Sequence, residues 1–357
     1  MNNTDTEMQS VLEAIQGIDI NDWYYYYQIS INNFENPFNG NIGHLDFIKQ
    51  YFQRGGKENV LHDFDVNNFL PQRAPHTNLV FFLGIYLYHR MVFKDYIDNS
   101  LTSKGYHMFS FIWFLITLFH DFGYKYENEF DKFKHLIDIE TLKKELKIKY
   151  DLLKYNKISG LSIVLFKSIR KYFLYRRNNS KYASKIDHGV LAGLFFYDAL
   201  VKNRIKQYNN NNRKDLYFGK ELNKVYAQVA GVIATHNIWF PNESNSSEYN
   251  KFGLEELAEM SPINLKESPL LLLLGLVDTI DPIKVYYSEH KDNEICDISD
   301  ILKNLLIFCD NQKLVLKKSP DSIYDFNKIV KRANDLNGWL DVDVCSSNEH
   351  LCISLNT

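Results

Sequence analysis

The stretch Ile112–Tyr124, IWFLITLFHDFGY, decides the reading of this chain. From Ile112 to Phe119 only Thr117 is polar, so the segment is apolar on every side and predicts a helix buried all round. It ends on His120 and Asp121, and Gly123 follows, a residue suited to a left-handed C-cap. An ionised carboxylate and an imidazole among Phe and Leu are costly to bury alone, so metal coordination, an ion pair or strong hydrogen bonds must compensate. The dipeptide by itself is weak: with 11 histidines about one His-Asp pair arises by chance, and His62-Asp63 in the polar stretch LHDFDVNNF reads as loop.

Working outward, four further segments repeat the pattern of a metal-capable residue on or beside an apolar helix. His76 opens HTNLVFFLGIYLY, and His188 opens HGVLAGLFFYDAL, whose Gly189 and Gly193 allow another backbone or a ligand close approach. His236 closes VYAQVAGVIATH, and Asp278 ends LLLLLGLVD. Apolar residues three and four apart predict core helices near 77–93, 106–121, 188–202, 220–236 and 269–280. The Lys- and Tyr-rich region of about 125–180 predicts two or three more. Its Lys167, Arg170, Lys171, Arg176 and Arg177 read as a solvated face, with a basic nucleic-acid groove as the sharper alternative.

After about residue 295 the pattern changes. LLIFCDNQKLVLKK is strand-like, DSIYDFNKIVKRANDL is helical with Asp321 or Ser322 near its start, and LDVDVCSSNEHLCISL alternates as a hairpin does. The fold class is therefore mainly α, a helical bundle with a small C-terminal α+β appendage. The expected division is an N-terminal helical or irregular segment over 1–60, a helical metal-binding domain over 61–294 with an insert near 125–180, and the appendage over 295–357.

The 357 residues, 45% of them hydrophobic, suffice for a large buried core. A net charge of -3 supplies no general field for nucleic acid or an anionic membrane. Met108–Phe119 and Pro269–Val277 are shorter than the roughly 18 to 20 apolar residues of a membrane span, so both read as buried helices. The acidic, polar N-terminus lacks the basic start and apolar run of an export signal, which leads to a cytoplasmic expectation without a membrane. Cys296, Cys309, Cys345 and Cys352 form no CxxC pair and read as reduced core cysteines.

Taken together, the motifs around His76, FHDFGY, DHGVLAG, ATHNIW and LVDTIDPIK resemble those of the HD-domain metal-dependent phosphohydrolases over about residues 73–285. The resemblance implies that His76, His120, Asp121 and Asp278 are core metal ligands, that Asp121 bridges, and that His188 and His236 complete a second metal position. The implied cofactor is one or two divalent transition-metal ions, with Mn, Fe, Zn, Ni and Co equally compatible with imidazole and carboxylate ligands. The implied reaction is hydrolysis of a phosphomonoester or phosphodiester of a nucleotide by a metal-activated water, with Asp121, Lys125 and His188 as catalytic residues. No separate organic cofactor site is expected.

The chain departs from the family in two places. Many members carry Lys three residues after the motif Asp, where this chain has Tyr124, so Lys125 substitutes only if the turn re-aims it. Ahead of the first ligand stands Arg73-Ala74-Pro75 in place of further polar residues. Lys185 and Lys284 are additional candidates for phosphate neutralisation, and Asp281 for orienting a ligand histidine or a water. Three alternatives stay open: a di-iron oxygenase on the same scaffold, a nucleotide-sensing regulatory module without turnover, and a helical protein whose histidines only satisfy core hydrogen bonds. A small-molecule phosphoester, expected to be a nucleotide, is the partner implied; nucleic acid stays open without support, as does a homo-oligomer.

Overall fold

A computed structural model describes residues 8–24, 35–40, 42–52, 60, 73–101, 109–124, 138–179, 185–211, 219–240, 246–290 and 296–357. Within these the protein is mainly helical, with one small antiparallel sheet at its C-terminal end. No helix among the described residues is long and apolar enough to cross a membrane. The chain forms two compact units, one of residues 1–51, 69–99 and 264–357, the other of 52–68 and 100–263.

In the first unit the Arg73–Arg90 helix is buried along almost its whole length, from Ala74 to Tyr88, as its all-round apolar sequence requires. The Pro269–Thr279 helix packs on it. Pro at the first helical position suits an amide that needs no partner, and Gly275 admits the Trp339 ring, which a Cβ would approach to 2.9 Å. Trp23, Phe47, Tyr51 and Phe82 form an aromatic cluster with ring centroids 5.3 to 6.3 Å apart.

The sheet belongs to this unit. Strands β1 (Gln9–Ser10), β2 (Leu305–Cys309), β3 (Lys313–Lys318), β4 (Val342–Ser346) and β5 (His350–Leu355) are ordered β1-β2-β3-β5-β4, every pair antiparallel. Alternation along β3 and β5 buries Leu314, Leu316, Leu351, Ile353 and Leu355 on one face. Both C-terminal hairpins follow the strand-like patterns in the sequence. β1 does not: two residues cannot display a period, and their partner Leu306–Ile307 lies almost 300 residues away. Ser10 ends β1 and caps the Val11–Gln16 helix, with Glu13 completing a reciprocal capping box. The helix after β3 spans Phe326–Asn334 and is capped by Asp325, which accepts from Asn327 N. It therefore starts later than Asp321 or Ser322, because Asp325 is the side chain that reaches a free first-turn amide.

In the second unit the Phe109–Phe119 helix is wholly buried and packs with the Leu222–Thr235 and His188–Asn211 helices. Those two lie so close that a Cβ on Gly193 would sit 2.6 Å from the Ala230 carbonyl oxygen, and one on Gly189 2.8 Å from that of Ile233. The close approach expected at these glycines is thus helix against helix. The described part of the Lys-rich region supplies Ile139–Glu145, a short 3-10 turn at Leu152–Lys154, and Ile163–Asn178. Lys167 and Lys171 are exposed as expected. Arg177 is buried, Arg170 bonds Glu140 and Arg176 faces Asp187, so the five basic residues do not share a single solvated face.

The cysteines are free, and exposed Cys345 and half-buried Cys296 and Cys352 depart from the core placement expected, while Cys309 is half-buried. Cys345 and Cys352 lie on the open side of their strands, whereas Cys309 shares the buried side of β2 with Leu305 and Ile307.

Candidate metal centre

In the second unit, His120 and His236 follow the last residues of the Phe109–Phe119 and Leu222–Thr235 helices by one position. The final carbonyls of a helix lack amide partners within it. Each histidine satisfies one of them: His120 Nδ1–H donates to the Thr117 carbonyl at 2.8 Å, and His236 Nδ1–H to that of Ile233 at 2.7 Å. The same three-residue step recurs at both helix ends. It fixes the tautomer in which Nδ1 carries the proton and leaves the Nε2 lone pair for another partner.

His188 opens its helix, and the preceding Asp187 caps it by accepting from Val190 N at 3.0 Å. Asp187 is fully buried, with Arg176 Nη2 3.7 Å from its other oxygen. Tyr124 stacks on the His188 ring at a centroid distance of 3.6 Å, and the Asn237 amide donates to His188 Nε2 at 2.8 Å.

Asp121, His188 and His236 each bring a ligand atom within 4.8 Å of the others, and all three are buried. Asp121 Oδ1 lies 3.5 Å from His120 Nε2 and 3.6 Å from His188 Nε2. The His236 ring stands 5.6 Å from that of His120 and 5.1 Å from that of His188. Burial first, and then the neighbouring His188 and His120, hold the His236 pKa down to about 4. Its imidazole is therefore neutral at physiological pH, the form that binds metals.

Gly123 does not act as the left-handed cap expected from sequence, since among the described residues the positive-φ glycines are Gly160, Gly253 and Gly338. Its place is set by packing: a Cβ there would lie 2.0 Å from the His188 carbonyl oxygen. The turn after His120-Asp121 thus rests directly on the backbone of another candidate ligand.

In the first unit, His76 lies in the first turn of the Arg73–Arg90 helix and is buried. Its Nδ1 bonds the fully buried carboxylate of Asp281, and its Nε2 lies 3.4 Å from Asp278 Oδ1. The other Asp281 oxygen accepts from Ile283 N at 2.7 Å, which caps the Pro282–Glu289 helix. Asp278 is half-buried and pairs with Lys284 at 2.5 Å, so the charge that ends the apolar run is compensated. Lys185 is half-buried three residues before His188. Lys125 and His62-Asp63 lie outside the described residues.

No family model, curated protein or solved structure matches this chain. The donor chemistry therefore stands by itself. The chain holds buried histidine and aspartate groups that could bind a metal, drawn from His76, His120, Asp121, His188 and His236. Imidazoles with tethered Nδ1 atoms beside a buried carboxylate fit a divalent transition metal.

Sequence reasoning had not marked Asn237 or Asp187. Asp187 carried a signal, an Asp directly before an apolar helical run, while Asn237 was hidden as one polar residue in a turn.

Proposed function

We propose that this chain is a metal-dependent phosphohydrolase of the HD-domain type. His76, His120, Asp121, His188, His236 and Asp278 hold one or two divalent transition-metal ions. The observation that carries this reading is the buried Asp121–His188–His236 group, with the His120 and His236 rings tied through Nδ1. The assignment of His76 and Asp278 to the same centre rests on the order of motifs in the sequence.

When bound, the metal would supply a water acidic enough to act near neutral pH and would polarise a phosphoryl oxygen. The protein's own residues fix the geometry and the charge. Asp281 orients His76 through Nδ1, as carriers of ligand histidines commonly do, and Thr117 and Ile233 do the same for His120 and His236 through backbone carbonyls. Tyr124 limits tilting of the His188 ring by covering one face. Lys284, held on Asp278, stands with Lys125 and Lys185 as a candidate to neutralise an anionic substrate. The substrate class is a phosphomonoester or phosphodiester of a nucleotide, and a cytoplasmic setting belongs to the same proposal.

The test is release of phosphate or nucleoside from a panel of nucleotides and generic phosphoesters by the Mn-loaded protein, with Asp121→Ala alongside. Turnover in wild type that falls to background in the variant supports the reading. A metal-loaded wild type inert on the whole panel contradicts it, and oxygen uptake by the iron-loaded protein would direct the same site to oxidation.

A further inference from the structure

Cys345 on β4 and Cys352 on β5 stand directly opposite each other in the C-terminal hairpin. The hairpin register fixes which kind of pair they form. Ser347 N donates to His350 O at 2.7 Å and Asn356 N to Asp341 O at 3.3 Å, and hydrogen-bonded pairs recur at every second residue between these two points. Cys345–Cys352 is one of them, so its Cα atoms lie about 5.5 Å apart, within the roughly 4.4 to 6.8 Å that a disulfide spans.

The two side chains also share a face, because directly opposed residues of an antiparallel pair project together. That face is the outer one. The adjacent pairs Val344–Ile353 and Ser346–Leu351 place Ile353 and Leu351, both fully buried, on the other side. Cys345 is exposed on the edge strand and Cys352 half-buried next to it. Cys309 is excluded as a competitor, since its row, Cys309–Leu314–Ile353, lies on the buried face.

We propose that Cys345 and Cys352 form a reversible thiol–disulfide site that takes its oxidising equivalents from a small-molecule disulfide. The Cys345 thiolate, the more accessible, attacks one sulfur of the small disulfide. A mixed disulfide forms and one small thiol leaves. The Cys352 thiolate then attacks the Cys345 sulfur, closes the cross-strand bond and expels the second small thiol. Two protein thiols and one small disulfide thus become one protein disulfide and two small thiols, with no other oxidant needed. The backbone register already holds the two Cα atoms at bonding separation, so closure requires side-chain rotation and an approach of the Cβ atoms by about 1 Å, which the edge position of β4 allows. This site is independent of the proposed metal chemistry.

The test uses the full chain, reduced, freed of reductant, and treated with oxidised glutathione before alkylation and peptide mapping. The expected result is loss of two alkylatable thiols, a mass lower by two hydrogens, a Cys345–Cys352 linked peptide, and return of both thiols on reduction. Cys345→Ser and Cys352→Ser should each instead retain one glutathione on the remaining cysteine of the pair. Two glutathiones held separately on the wild-type pair, both thiols still alkylated, or a disulfide to Cys296 or Cys309 would overturn the proposal.

Discussion

His76 and Asp281 form a fully internal imidazole–carboxylate pair, with Asp281 bound to Nδ1 and the opposite nitrogen turned toward Asp278. One Asp281 oxygen serves the histidine and the other caps the next helix through Ile283 N. The two roles can be separated by substitution. Asp281→Asn retains an oxygen for the cap and loses the charge, and is expected to weaken metal affinity about 10- to 100-fold with little change in melting temperature. Asp281→Ala loses the cap as well and should cost about 1 kcal/mol more in stability. Calorimetric metal titration and thermal unfolding measure the two effects, and equal metal affinity in wild type and Asp281→Asn would contradict the role given to this pair.

Gly123 gives a second prediction. A methyl group there meets the His188 backbone carbonyl, and neither partner is the flexible end of a side chain. Gly123→Ala should therefore lower stability by about 1 to 3 kcal/mol, as overpacking does, and displace His188 enough to reduce metal content. Unfolding curves together with elemental analysis check it. An unchanged melting temperature would show that the turn relaxes without strain.

The third concerns pH. Burial, opposed in part by Asp297, holds the His44 pKa down to about 4 from its ordinary 6.5, and the Asn78 amide donates to its Nδ1 at 3.0 Å, a bond only the neutral ring accepts. The unfolded chain binds this proton more readily than the folded one. The contribution is thus complete above about pH 6.5 and is lost as pH falls toward 4, to a limit of about 3 kcal/mol. His44→Gln should flatten the dependence of unfolding free energy on pH across that window relative to wild type. Parallel curves for the two proteins would refute this origin of the acid sensitivity.

Much of this fold was legible because its helices are apolar on all sides. The Arg73–Arg90, Phe109–Phe119, Leu222–Thr235 and Pro269–Thr279 helices fall close to their expected ranges. Their terminal His and Asp residues stood out because such groups are costly among Leu and Phe. The local sequence could not show partners brought from afar. The pairing of β1 with β2 joins the two ends of the chain, and the distinction between a glycine needed for its φ and one needed for its lack of a side chain, as at Gly123, depends on what packs against it. Cys345 and Cys352 were misread for a related reason: position in a strand says little until the register shows which face is buried.

The central claim is that the buried imidazole and carboxylate groups hold metal. Its most direct test is elemental analysis of protein purified without chelators, and again after reconstitution with Mn, Fe, Co, Ni or Zn, beside Asp121→Asn and His236→Gln. One or two ions per wild-type chain, reduced in both folded variants, is the expected result. A folded wild-type chain that takes up none of these metals would contradict the account and leave the histidines as hydrogen-bonded members of a helical core.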